Sequence, residues 1–140
     1  MIEQDVVKYI GLPYVPRELD CWQLIRKFVR QELGQEYPDF FYDAETLNEM
    51  SAEHIQLETS SGSRWRSVGE PTLGDVLIFR LRGKACHTGV YVFNNNFLHT
   101  LAGRASAYEP LDGYWKQALV GIYRWSPNES LREQCKGLIA

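Results

Sequence analysis

The 140-residue chain is 44% hydrophobic and 13% aromatic, enough apolar material for one buried core without disulfide staples. Its formal net charge is -3, with acids and bases interspersed and no basic block, so nucleic acid is not an expected partner. No apolar run approaches the roughly 20 residues of a membrane-spanning helix, and the start MIEQDVVKYIG lacks the basic opening and apolar stretch of a secretory signal, which reads as a soluble cytoplasmic product.

In chain order, Ile2, Val6, Val7 and Ile10 stand at helical spacing, and Gly11 followed by Pro13 ends that short helix. The loop LPYVPREL leads into DCWQLIRKFVRQELG, which sets Leu24, Ile25, Phe28, Val29 and Leu33 on one face, with Asp20 as N-cap and Gly34 as the stop. A weaker amphipathic helix over residues 44–57 places Leu47, Met50, His54 and Leu57 together, His54 as a packing residue. After the polar loop ETSSGS the period changes to two. GDVLIFRLRG, HTGVYVF, NFLHTL and ALVGIYRW read as four short strands separated by Gly, Asn or polar turns. The closing SPNESLREQCKGLIA carries a capping box, Ser126 as N-cap, Pro127 at the first helical position and Glu129, with Cys135 beside Leu131 and Leu138 on the apolar side. Helices first and an antiparallel sheet second imply a single α+β domain over residues 1–140, with a helix packed on one face of the sheet.

The three cysteines, Cys21, Cys86 and Cys135, are odd in number and widely spaced, which fits neither a disulfide framework nor a zinc ribbon. Cys21 falls in the first turn of the central helix, where unpaired N–H groups and the positive end of the helix dipole favour a thiolate. It reads equally well as a nucleophile or as a small apolar residue opening a helix. A thiolate nucleophile needs a base, and the base needs a third group to fix its ring.

His87 and His99, near the ends of HTGVYVFNNNFLHT, can supply both on a condition of parity. With a three-residue loop Phe93-Asn94-Asn95, Val92 pairs with Asn96 and His99 falls opposite Gly89. Both histidines then share a face, and Gly89 leaves room between them. A two-residue loop shifts the register by one and sends the rings to opposite faces. Cys86 adjoins His87 but points the other way along a strand, which makes it a buried or strand-end thiol. Cys21, Cys86, His87 and His99 lack the closely spaced ligand pairs of zinc motifs, so no metal site is expected.

Cys21 at a helix start, a Gly-Asp strand, and His87 and His99 on a hairpin together resemble the NlpC-type cysteine peptidases, papain-like hydrolases of bacterial cell walls. The resemblance runs through GLPYV, DCWQLIRKF, GDVLIF, HTGVYVFNNNFLH and the closing GIYRW. It implies a papain-like α+β fold with Cys21 as nucleophile, His87 as base and His99 as the residue that orients the base, both histidines lying on the face that meets Cys21. It implies further that Tyr14 helps the Cys21 backbone amide hold the oxyanion and the substrate. Asp20, besides capping the helix, would recognise the free amine of a peptide stem. No cofactor is implied. Two positions depart from the family pattern: the approach VPREL is not glycine-rich, and Gln23 stands where a glycine is usual, so the cleft shape and the seating of the helix are expected to differ.

The tryptophan after the cysteine, LIRKFVRQELGQEYPDF and YWKQALVGIYRW are similar to the versions encoded among tail-tip genes of tailed bacteriophages. That likeness implies hydrolysis of peptidoglycan stem peptides, typically at the γ-D-glutamyl-diamino acid amide, to open the cell wall during genome injection. It also implies synthesis in the host cytoplasm, assembly into the virion tail tip beside other tail-tip proteins, and no membrane insertion. The alternative is a structural tail-tip or tail-assembly protein with the same fold and no required catalysis. An acyltransferase or thioesterase on this scaffold would need an apolar acyl channel, which the sequence does not display.

Overall fold

The strongest periodic stripe in the sequence becomes the longest helix of the computed structural model, which describes residues 1–39, 55 and 64–126, with backbone alone at 84–86. Helix α1 (Cys21–Leu33) buries Cys21, Trp22, Leu24, Ile25, Phe28 and Val29. Asp20 caps it by accepting from the Gln23 N–H, and Gly34 ends it in the left-handed conformation, φ 65°, which a residue without Cβ adopts freely.

The N-terminal segment is helical as expected but of the tighter 3-10 kind, over Glu3–Tyr9. At three residues per turn, positions i and i+3 eclipse, so the buried pair is Val6 and Tyr9. Ile2, Val7 and Ile10, which an α-helical stripe would have buried, are exposed.

A six-stranded antiparallel sheet forms the second half. Its strands are β1 (Trp65–Val68), β2 (Val76–Leu81), β3 (Lys84–Tyr91), β4 (Asn96–His99), β5 (Ala107–Pro110) and β6 (Leu119–Trp125), in spatial order β1-β6-β2-β3-β4-β5. The four strands expected from the alternating pattern are β2, β3, β4 and β6, and they form the continuous centre. Both edge strands and the short helix α2 (Gly113–Ala118) were not expected.

Each face of the sheet has its own core. On one, Val76, Ile78, Val90, Val92 and Leu98 pack with the α1 stripe, Tyr9 and Ile55. On the other, Leu77, Phe79, Phe97, Leu111 and Ile122 pack with Trp115 of α2. Period-two alternation produces this division directly, residues 76 and 78 facing α1 and residues 77 and 79 facing α2. The expected helix at 44–57, apart from Ile55, and the C-terminal helix beyond Ser126 with Cys135, lie outside the described residues.

Candidate active site

The β3–β4 hairpin has the odd register. Val90 pairs with Leu98 and Tyr91 with Phe97. Continuing the ladder, the Val92 N–H donates to Asn96 O at 3.0 Å, and the Asn96 N–H closes the turn on Phe93 O at 2.9 Å. Asn94 and Asn95 adopt left-handed φ of 54° and 62°, which asparagine tolerates better than other residues with a Cβ. His99 therefore lies opposite Gly89 and diagonal to His87, and His87 Nε2 and His99 Nδ1 share a hydrogen bond of 2.8 Å.

Gly89 is needed for that approach. A Cβ there would stand 2.9 Å from Phe97 Cδ2 and 3.3 Å from His99 Cβ. The pair is buried, His87 at 0% and His99 at 2% exposure. Burial first, and the neighbouring His99 second, hold His87 well below the ordinary imidazole range. Burial also lowers His99, against the opposing pull of its hydrogen bond and charge interaction with Glu109.

Glu109 is the residue that sequence reasoning missed. Its carboxylate Oε2 receives a hydrogen bond from His99 Nε2. It stands opposite Phe97 on β5, diagonal to His99 as His99 is to His87, so three polar groups occupy three successive strands. The strand AYEP is short, lies at the sheet edge and ends in proline, which weakens its sequence signal. Its alternation, Ala107 opposite His99 and Glu109 opposite Phe97, carries the assignment once β5 is known.

At the other group of expected residues, Asp20 is buried and uses both carboxylate oxygens. Oδ1 accepts from the Gln23 N–H at 2.9 Å and Oδ2 from the Arg17 N–H at 2.7 Å. The approach VPREL thus makes a tight turn without glycine. Val15 and Leu19 bridge, and Arg17 takes φ 69°, a strained choice that the Asp20 contact offsets. Tyr14 sits next to this turn. Burial raises its hydroxyl pKa, and the proximity of Cys21 and Asp20 raises it further.

Gln23 does not intrude on the sheet. It donates to Asp39 Oδ1 at 3.0 Å and accepts from Arg26 at 2.9 Å, directed toward the segment after α1.

The expectation that both histidines lie on the face that meets Cys21 is corrected. Cys21 belongs to the core on the α1 face, whereas the His87 ring packs with Phe79 and the His99 ring with Phe97, and Trp115 covers both at centroid distances of 5.8 and 4.8 Å. The reason is alternation: α1 requires Val90 and Val92 beneath it, and His87 is out of phase with them. Just before His87 the strand is irregular. Phe79 is opposite His87 but Arg80 is opposite Ala85, so Cys86 is the extra residue of a β-bulge. Its side chain, like that of Cys135, lies outside the described residues.

Hydrogen bonds join the two groups at one end of the sheet. Gly11 N–H donates to Ser106 O, Ser106 N–H to Leu12 O, and Leu12 N–H to Ser106 Oγ, at 2.8 to 2.9 Å. A hollow lined by Tyr14, Pro13, Arg104 and Ala105 adjoins a second lined by His99, Glu109, Arg104 and Ala105. Among the aromatic residues, Trp22 and Trp65 are core, with ring centroids 6.2 Å apart, while Tyr91 packs on the α2 face. Among the described residues, no group of three or more His, Cys, Asp or Glu is arranged to hold a metal ion, and no helix is long and apolar enough to cross a membrane.

The family profile described as NlpC/P60 matches residues 11–124, spanning α1, the Asp20 turn, β1 to β5 and all but the last residue of β6. The chain belongs to the NlpC/P60 family. It is 29% identical over 126 residues to tail tip assembly protein K of Escherichia phage N15, covering 86% of this chain and 52% of that protein. It is 26% identical over 103 residues to the murein DD-endopeptidase MepS/murein LD-carboxypeptidase of Escherichia coli, covering 71% of this chain and 45% of the other. This NlpC/P60 chain thus spans about half the length of the curated relatives it matches. Its fold superposes on the crystal structure of the NlpC/p60 domain of peptidoglycan hydrolase SagA with a TM-score of 0.54 at 18% identity, over 86% of this chain and 93% of that one. The α+β arrangement of a helix packed on an antiparallel sheet is that of the family.

Proposed function

We propose that this protein is a cysteine endopeptidase that hydrolyses an amide of the peptidoglycan peptide stem, typically between γ-D-glutamate and a diamino acid. Residues 1–140 are read as one peptidase domain. Cys21 is the nucleophile, His87 the base and His99 the residue that holds the ring of the base. The observation that carries this reading is the buried His87–His99 hydrogen bond through His87 Nε2, which leaves His87 Nδ1 without a hydrogen-bond partner among the described residues.

In the reaction, His87 Nδ1 takes the Cys21 proton as the sulfur attacks the carbonyl carbon, and the resulting oxyanion is held by the Cys21 backbone amide and the Tyr14 hydroxyl. The tetrahedral intermediate collapses, the C–N bond breaks, and His87 returns the proton to the leaving amine. Water, deprotonated by His87, then attacks the thioester and releases the acid and the free thiol. This step requires the Cys21 sulfur and His87 Nδ1 to come together at the start of β3, where the Cys86 bulge interrupts the ladder. Asp20, fixed by two backbone N–H donors, would receive the free amine of the stem.

A tail-tip setting, with other tail-tip proteins as partners and the wall opened during genome injection, is supported by the likeness to a phage tail tip assembly protein. The same relative supports a second reading, a structural part in tail assembly without required catalysis. Purified protein and a Cys21→Ala variant, incubated with peptidoglycan and analysed by mass spectrometry, test the first reading: fragments are expected from the wild type alone. Equal release from both would sink it. Failure of tails to assemble around a folded, inactive variant would favour the second.

A further inference from the structure

We propose that Glu109 is a positioning residue that sets the tautomer of both histidines and so keeps His87 Nδ1 free to act as the base. This rests on the peptidase reading of Cys21 and His87.

A carboxylate oxygen only accepts, so the hydrogen bond between Glu109 and His99 Nε2 requires the N–H to be at that nitrogen. In a neutral ring with its proton on Nε2, Nδ1 is bare. His99 Nδ1 then accepts, and the partner 2.8 Å away, His87 Nε2, must donate. A neutral His87 with its proton on Nε2 is bare at Nδ1 in turn, and that atom has no hydrogen-bond partner among the described residues. One carboxylate on β5 thus dictates which nitrogen of a ring two strands away carries a proton. When Nδ1 accepts the thiol proton, the His87 imidazolium goes on donating from Nε2 to His99 Nδ1, and the hydrogen-bond chain ends on the Glu109 carboxylate.

The placement favours this role over simple packing. The Glu109 side chain is 40% exposed, so the fold does not depend on burying it, while the ring it holds is 3% exposed. The carboxylate also lines the hollow that contains Arg104 and Ala105 and continues toward Tyr14. The outer end of the chain is therefore open to the groove, and its inner end lies beneath Trp115.

Imidazole nitrogen-15 NMR of the full chain, with kinetics on peptidoglycan fragments, tests the proposal. In the wild type His87 is expected as a single tautomer protonated on Nε2. In Glu109→Ala the second His87 tautomer should appear, and kcat should fall at least about tenfold with KM unchanged. Glu109→Gln, which retains an accepting oxygen, should keep the wild-type tautomer and recover part of the rate. An unchanged His87 tautomer in Glu109→Ala, or a wild-type His87 protonated on Nδ1, would overturn the proposal. The spectra need no turnover, so they decide the role of Glu109 even if the Cys21→Ala comparison fails. Conversely, loss of activity in Cys21→Ala with an unchanged tautomer in Glu109→Ala would retain the peptidase and discard the positioning role.

Discussion

The two faces of the sheet are built from the same strands yet differ in what they contain. The α1 face meets the helix with Val76, Ile78, Val90, Val92 and Leu98, aliphatic residues that fill space beneath α1 and hold Cys21 at its first turn. On the α2 face Phe79, Phe97 and Trp115 stand among Leu77, Leu111 and Ile122, and two histidines are sunk between the aromatic rings. The difference shows how one period-two pattern serves two purposes: on β3, Val90 packs beneath α1, and His87 opens the polar chain on the other face. Aromatic rings suit the second face because their flat surfaces pack against imidazole without competing for its nitrogens.

Separate variants on the two faces should break this division if it is wrong. Phe28→Ala, on the α1 face, removes a fully buried ring and is expected to cost about 3–5 kcal/mol in denaturant unfolding, with activity per folded molecule retained. Gly89→Ala, on the other face, should cost about 1–3 kcal/mol, because the new methyl presses on Phe97 and on His99 Cβ. Unlike Phe28→Ala, it should abolish fragment release from the folded protein, since His99 is displaced from His87. If instead Phe28→Ala removed activity and Gly89→Ala did not, the assignment of packing and chemistry to separate faces would fail.

Asp20 joins the two roles. Asp20→Ala should lose about 1 kcal/mol in thermal or denaturant unfolding through the missing helix cap, and Asp20→Asn, which keeps one accepting oxygen for the cap but turns an amide N–H toward the Arg17 N–H, should lose the Arg17 hydrogen bond instead. If the carboxylate reads a substrate amine, Asp20→Asn should still raise KM, which separates binding from capping in one variant.

The smallest expected effect is a pH dependence of stability. Unfolded imidazoles titrate near ~6.5, whereas burial holds folded His87 and His99 lower, so the unfolded chain binds more protons in the interval between. Their contribution is fully present above that pH and is lost as pH falls through the folded values. Unfolding midpoints should therefore decline below pH ~6.5, and His87→Gln should flatten the decline. Glu32 and Glu36, lowered by hydrogen bonds from Lys8 and Arg30, act only in the carboxylate range and leave this interval to the histidines.

Inner strands were legible where edge strands were not. Val76–Phe79 and Val90–Val92 face a core on both sides or alternate between two cores, so their residues are selected at nearly every position. Trp65–Val68 and Ala107–Pro110 pair on one side only, and sequences such as WRSV and AYEP carry little periodicity. That is why His87 and His99 were visible and Glu109 was not. The short N-terminal helix was visible as a helix but not as a 3-10 helix, because Val6 and Tyr9 satisfy both periods and only contact with α1 through Gln31 and Glu32 selects between them.

By itself the sequence determined the central helix with both its caps, the inner strands, the two possible hairpin registers and the residue types able to act as nucleophile and base. These follow from local rules: periodicity, capping and alternation act within a few residues of one another. Tertiary structure decided the odd register in fact, the opposition of the α1 and histidine faces, and the carboxylate at the end of the imidazole chain. Those depend on strand order and on which residues of distant segments become neighbours, and no local pattern carries that information. His87 and His99 are twelve residues apart, whereas Glu109 reaches them only because β5 folds back along β4.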